Sequence, residues 1–299
     1  MTSPAVASTA GVAISTTGDQ HRLGFLETAV EAWLNVGFGP VVTVDGDEGA
    51  AARVAMRLPA AVPVYQVGQR RWGAPYDGHQ GVAVSKNTGI ELLMERGYES
   101  LFLADDDTWP LGISAIGLHT ALAEFIPHSM VGWGSGRNPA LHSADWGSYA
   151  SWSWPRGVLL FATRDVVARV GGMREEFGPG GHEHVEWSRR IHQAGLTPDL
   201  FCTPDIYSAD GAWGARRFWH CEDMPKAGEP LSEHRARRRR ITSIRRKDRD
   251  WPKIEKIMTK TDGDTSFVPY QASLNGRSSA TMWTSHTCRG AALDEGVEK

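Results

Sequence analysis

The sequence predicts an α/β protein, a mixed and mostly parallel sheet flanked by helices. Three observations predict it. Short apolar runs alternate with segments of helical periodicity through the first hundred residues. Carboxylates gather at or just beyond the ends of those runs, at Asp19, Asp45, Asp47 and Asp105 to Asp107. The length, 299 residues with 41% hydrophobic and 22% charged, is enough for one large domain or two smaller ones.

The elements follow in order. "GVAIST" (11–16) reads as a buried strand, followed by a Gly-Asp turn and an amphipathic helix over about 23–35, with Leu23, Leu26, Ala29, Val30, Trp33 and Leu34 on its apolar face. "GPVVTVDGD" (39–47) is a second strand and "VPVYQVG" (62–68) a shorter third. Residues 80–100 carry helical periodicity through Ala83, Ile90, Leu93 and Met94, with Gly97 as a C-cap. "LFLA" (101–104) is the next strand, a helix is expected over about 111–124, and a strand near 129–133. "GWGSGRNPALHSADWGSYASWSWPRG" (132–157) reads as a Gly- and Trp-rich loop. Its Trp133, Trp146, Trp152 and Trp154 are either packing or a platform for sugar rings or bases. "GVLLFATRDVVARVGG" (157–172) is a strand and a helix, and residues 182–195 form a helix ended by Gly195. A last short helix is expected over 250–258, and residues 260–299 as a polar tail, wrapped or partly disordered.

The bulk properties narrow the class. A net charge of -3 averages over an uneven distribution, because Arg235, Arg237, Arg238, Arg239, Arg240, Arg245, Arg246, Lys247 and Arg249 crowd residues 235–249. Such a run is either a solvated face or a patch for phosphates. No apolar run approaches a membrane span, and the start lacks the basic flank of a secretion signal. Three cysteines without metal-type spacing suit a reduced, cytoplasmic protein.

"LFLADDDTWP" (101–110) poses the chemical question. Three adjacent carboxylates at a strand tip repel one another and need compensation. A solvated turn is one answer, and a divalent cation shared among hard oxygen ligands is the other. Acidic residues collected on one rim of a sheet, where α/β proteins bind ligands, favour the cation.

"SKNTGIELLMERGYESLFLADDDTWP" (85–110) resembles the central signature of GT-A-type glycosyltransferases, family-2-like, in which a Lys/Arg-Asn-x-Gly-Ile helix leads to a strand ending in the Asp-x-Asp (DXD) motif. "GVLLFATRDVVARVGGMREEFGPGGHEHVEWSRRIHQAG" (157–195) is similar to the second signature of that group. The resemblance covers roughly residues 10–225. It implies a GT-A (Rossmann-like) catalytic domain over 1–230, with a nucleotide-sugar-binding half (10–110) and an acceptor-side half (111–230). A basic helical extension and tail (231–299) would follow.

The resemblance further implies a metal-dependent, hexosyltransferase-type enzyme using a nucleotide sugar, with UDP-sugars favoured. Mn²⁺ or Mg²⁺ would be held by Asp105 and Asp107, with His220 of "RRFWHCED" as a third ligand that tilts the choice towards Mn²⁺. Asp45, Lys86, Asn87, Asp105 and Asp106 would bind the donor. The usual catalytic aspartate is absent: the matching pair is Glu183-His184, and either is competent as the base. Glu186 and Arg190 match the remainder of that helix as structural or donor-contacting residues. Trp152, Trp154 and Arg237 to Arg240 would serve a polyanionic acceptor such as DNA with hydroxylated bases. A glycan, lipid-linked or small-molecule acceptor is the alternative. The readings from other classes are a nucleotidyltransferase, disfavoured because "STTGDQHRLG" is not a dense Gly-rich basic loop, and an inactive polyanion-binding protein.

Overall fold

The structure is a computed structural model that describes residues 9–68, 80–110, 125–130, 140–144, 147–153, 157–204, 218–220, 230, 232–233, 251–276 and 278–284. Its strands are β1 (Ala10–Thr16), β2 (Pro40–Val44), β3 (Val64–Gln66), β4 (Ser100–Asp105), β5 (Thr108–Pro110), β6 (His128–Met130), β7 (Ala140–Ala144), β8 (Gly147–Ser151), β9 (Leu159–Thr163), β10 (Cys202–Pro204), β11 (Phe218–His220) and β12 (Thr281–Trp283). The helices are α1 (Leu23–Asn35), α2 (Glu48–Arg57), α3 (Val82–Glu95), α4 (Arg164–Val170), α5 (Glu183–Gln193) and α6 (Trp251–Lys260), with a 3-10 turn at Glu175–Gly180.

Seven strands form the main sheet in the order β12-β3-β2-β1-β4-β9-β6. The block β3-β2-β1-β4 is parallel, and β12, β9 and β6 each run antiparallel to the strand that precedes them towards the centre. This is the mixed, largely parallel α/β sheet that the sequence predicts. β1 and β4 are apolar on both faces because helices cover both. Val12, Ile14, Phe102 and Ala104 join the core beneath α1 and α2, while Ala13, Leu101 and Leu103 join the opposite core with Ile90, Leu93 and Trp187. Phe102 sits among Trp33, Phe38 and Phe161, with ring centroids 5.1–5.9 Å away. Truncating such a side chain typically costs about 3–5 kcal/mol.

The glycine of the Lys-Asn-x-Gly-Ile run has a packing reason. A Cβ on Gly89 would lie 2.6 Å from the Ala13 Cβ, so only glycine lets α3 lie this close to β1. Gly97 and Gly195 close α3 and α5 at φ 78° and 72°, as their C-cap assignments expect.

One expectation needs correction, one helix is added, and the tail takes one of its two expected forms. The Gly- and Trp-rich stretch contains a hairpin: β7 pairs β8 antiparallel, and β10 adds a third strand. Residues 48–57 form a helix that the sequence reading passes over. Of the two forms expected for the tail, the described residues 260–276 and 278–284 take the wrapped one. Val268 bridges Gly171, Ala272 N–H donates to Glu91, and β12 pairs with β3 to form the edge of the sheet. The expected helix at 111–124, Trp133, Trp146, Trp154, Arg237 to Arg240 and the rest of the basic run lie outside the described residues.

Candidate active site

The strand order reverses at β1. From β1 the chain steps outward through β2 and β3, then returns to place β4 on the other side of β1. Ligands of open α/β sheets bind at this reversal, outside the carboxyl ends of the strands. Two segments meet there. One is the turn after β1, carrying Thr16, Asp19 and Arg22, and the other is Asp105 to Asp107 after β4. Asp106 N–H donates to the Ser15 carbonyl at 3.1 Å, which fixes the acidic tip against the end of β1.

The carboxylates are compensated by two cations of the chain itself. Lys86, buried on α3, donates from Nζ to Asp105 Oδ1 at 2.8 Å, and the Asp105 side chain is 32% exposed. Arg22 donates from Nε to both oxygens of buried Asp106, at 2.9 and 2.8 Å, and from Nη2 to Oδ1 as well. Thr16 Oγ1 adds a hydrogen bond to Asp106 Oδ2 at 2.6 Å. The Arg22 Nη2 also pairs with Asp107 Oδ2 at 3.1 Å. Burial lifts the Asp106 carboxyl above its ordinary range against the pull of Arg22. Burial likewise opposes the Arg22 charge, but the hydrogen bonds and charge of Asp106 outweigh it and raise the guanidinium pKa. Arg22 is not legible in the sequence: a single arginine 84 residues from its partner carries no local signal.

Asp45 and Asn87 occupy scaffolding positions. Asp45 accepts the backbone N–H groups of Gln80 (2.6 Å) and Gly81 (2.8 Å), which anchors the start of α3 to the end of β2. Its negative charge there suits the positive end of the helix dipole. Asn87 Oδ1 accepts from Met173 N–H at 2.8 Å, and its Nδ2 donates to the Met173 carbonyl and to Glu175. The amide therefore ties α3 to the loop after Gly171-Gly172.

That loop leads to the second motif. His182 precedes α5 in the left-handed region (φ 80°), and its ring lies edge-on to Trp251 of α6 at 5.1 Å. A non-glycine residue there carries backbone strain of a kind found at functional sites. Glu183 and Glu186 follow on the first turn of α5, both buried. Glu183 Oε1 meets His184 Nδ1 at 3.2 Å, and Oε2 has no hydrogen-bond partner among the described residues. Burial raises the Glu183 pKa, but the His184 hydrogen bond and charge and the nearby Lys86 more than reverse that, so the side chain stays ionised. Glu186, by contrast, accepts from Arg174 and twice from Arg190, and Arg190 also donates to the carbonyls of Val170 and Gly172. Gly157 makes room for the pair: a Cβ there would lie 2.6 Å from the His184 Cγ.

Two other expected site residues are placed. β11 pairs antiparallel with β5, so His220 stands opposite Thr108 and one ladder position from Asp107. Trp152 is half-buried; its indole N–H donates to Thr203 Oγ1 at 3.1 Å, making it a strut to β10. Among the described residues, no three His, Cys, Asp or Glu side chains are grouped to hold a metal ion. Asp105 and Asp107 carry hard oxygen donors of the kind divalent cations take, paired here with Lys86 and Arg22, and the backbone of His220 runs alongside β5.

No protein-family model matches the chain, and no curated protein does. Among solved structures, the chain is similar to mannosyltransferase PcManGT from Pyrobaculum calidifontis, in complex with GDP-Man and Mn²⁺. The sequence identity is 15%, 96% of this chain and 80% of that chain are covered, and the TM-score is 0.40. Among the described residues, no helix is long and apolar enough to cross a membrane.

Proposed function

We propose that the protein is a metal-dependent glycosyltransferase that moves a sugar from a nucleotide-sugar donor to a hydroxyl acceptor. The observation that supports this reading is the tie between the two motifs: α3, whose Lys86 bonds Asp105, is joined through Asn87 to Met173 and Glu175, which lead on to Glu183.

Asp105, Asp107 and His220 are the residues that would hold Mn²⁺ or Mg²⁺. When bound, the ion supplies positive charge that stabilises the departing diphosphate. Glu183 is the base. Its buried Oε2, which has no hydrogen-bond partner among the described residues, would accept the acceptor hydroxyl's proton, while His184 meets the other oxygen. The acceptor oxygen forms its bond to the anomeric carbon as the bond to the phosphate oxygen breaks, with inversion. Asp45 and Asn87 act by positioning α3. The Asp45 carboxylate bonds main-chain groups, which weakens the reason to favour UDP over GDP.

The acceptor we propose is polyanionic, DNA with hydroxylated bases being the clearest case. The arginine run 235–249 continues into α6, whose first residue, Trp251, packs on His182 beside Glu183.

A screen of UDP- and GDP-sugars for Mn²⁺-dependent hydrolysis or transfer tests the reaction, and absence of turnover with all of them would overturn it. DNA affinity measured against salt tests the acceptor. Several arginine–phosphate contacts predict a log–log slope steeper than about -3, at roughly -0.9 per phosphate neutralised. A flat dependence would shift the acceptor to a glycan, lipid-linked or small molecule.

A further inference from the structure

We infer that Arg22 binds the donor's diphosphate, and that the middle aspartate of the run, Asp106, is a positioning residue that aims it. The inference rests on the nucleotide-sugar reading above. Three features carry it.

The first is how the guanidinium is held. Its Nε and Nη2 edge is fixed on Asp106 and Asp107, whose side chains are 2% and 5% exposed, whereas the Arg22 side chain is 26% exposed. Among the described residues no group accepts a hydrogen bond from Nη1. One edge of a rigid planar donor is therefore committed to the two carboxylates, while the other makes no hydrogen bond among the described residues and the side chain keeps partial exposure. Arginine's fork suits this double duty, since it can grip a carboxylate on one side and a phosphate on the other.

The second is location. Arg22 follows β1 and its partners follow β4, so the guanidinium spans the two strands between which the order reverses. A diphosphate is expected at that crevice.

The third is charge. Asp105, Asp106 and Asp107 outnumber the two cations that pair with them, Lys86 and Arg22, so the strand tip keeps an excess of carboxylates. A divalent cation would offset that excess. Arg22 therefore meets an anionic donor productively only when the metal is present, which predicts that metal binds before donor. The three aspartates differ in their partners: Asp105 pairs with Lys86, Asp106 takes the Nε and Nη2 edge of Arg22, and Asp107 meets Arg22 through Nη2 alone.

The test is calorimetric binding of UDP and GDP, with uridine and guanosine as phosphate-free controls, with and without Mn²⁺. Arg22→Gln should weaken nucleoside diphosphate binding in Mn²⁺ by about 10- to 100-fold, the worth of charge-assisted hydrogen bonds. Nucleoside binding should be unchanged. Asp106→Asn should act in the same direction and less strongly. If wild type binds neither diphosphate, the nucleotide-sugar reading fails and this inference with it. If wild type binds and Arg22→Gln binds equally well, or loses nucleoside and diphosphate affinity alike, Arg22 is only a counter-ion and the inference alone is overturned. Should Arg22→Gln fail to fold, Arg22→Lys decides. A point charge cannot serve carboxylate and phosphate together, so a selective loss of diphosphate affinity is expected, and wild-type affinity would refute the proposal.

Discussion

Glu183 and Glu186 stand one turn apart on α5, buried to the same degree, in opposite surroundings. Glu186 is enclosed by Arg174 and Arg190, and Arg174 continues to Asp264 in the C-terminal tail. Glu183 has one imidazole on one oxygen and no described partner on the other. Burial therefore does not distinguish a structural carboxylate from a reactive one. What does is whether the hydrogen-bonding capacity is filled by groups of the fold. The same contrast separates Asp45, buried and held by two main-chain N–H groups, from Asp105, held by one lysine side chain and 32% exposed.

Substitutions at the two glutamates test that contrast most strongly. Glu183→Gln should lower kcat by about 10²- to 10⁴-fold, the range for a general base. Its unfolding free energy should change by no more than about 1.5 kcal/mol, the worth of one long hydrogen bond. Glu186→Ala should do the reverse, costing about 3–5 kcal/mol in a denaturant titration because it strands two arginines, Arg190 fully buried. The surviving folded fraction should turn over near the wild-type rate. Equal losses of activity in both variants would erase the distinction.

A second prediction concerns the far side of the same helix. His128 is enclosed in the core beside Trp187 and hydrogen-bonds Ser188 Oγ at 3.0 Å. Burial pushes its imidazole down to about 3, so it is neutral in the fold, whereas the unfolded chain takes up a proton near pH 6.5. The unfolded state thus binds more protons between those values, and stability falls as pH drops below 6.5 by about 1.4 kcal/mol per unit. Denaturation midpoints compared between wild type and His128→Asn should converge in slope once that histidine is removed. An unchanged slope would show that other groups dominate.

The smallest effect is expected at Gly157. Alanine there presses on the His184 ring and should cost about 1–3 kcal/mol as overpacking, unless the ring shifts. A shifted ring would release Glu183 and reduce kcat with stability kept, so the partition between the two readouts sharpens the role of His184.

Much of the scaffold was legible because periodicity is local. The α1 face from Leu23 to Trp33 and the buried runs of β1 and β4 are set by side chains close in sequence. The acidic tip was legible for the same reason, as three carboxylates at the end of an apolar run. Arg22 was not, because its meaning comes from Asp106, 84 positions away, through the parallel pairing of β1 with β4. The saturation of Asp45 and Asn87 was hidden too: their partners include main-chain groups, which leave no mark on residue type. The β7–β8 hairpin lacked apolar alternation, since Ser143, Gly147, Ser148 and Ser151 dilute it. The edge strand β12 is only three residues long, and its pairing with β3 spans over two hundred positions.

The central claim is that the acidic end of β4 holds a divalent cation for a nucleotide sugar. Turnover of whichever UDP- or GDP-sugar the wild type hydrolyses should be measured for Asp107→Ala in Mn²⁺, alongside its thermal unfolding. The account predicts loss of turnover with the fold intact. Wild-type turnover in the folded variant would contradict it.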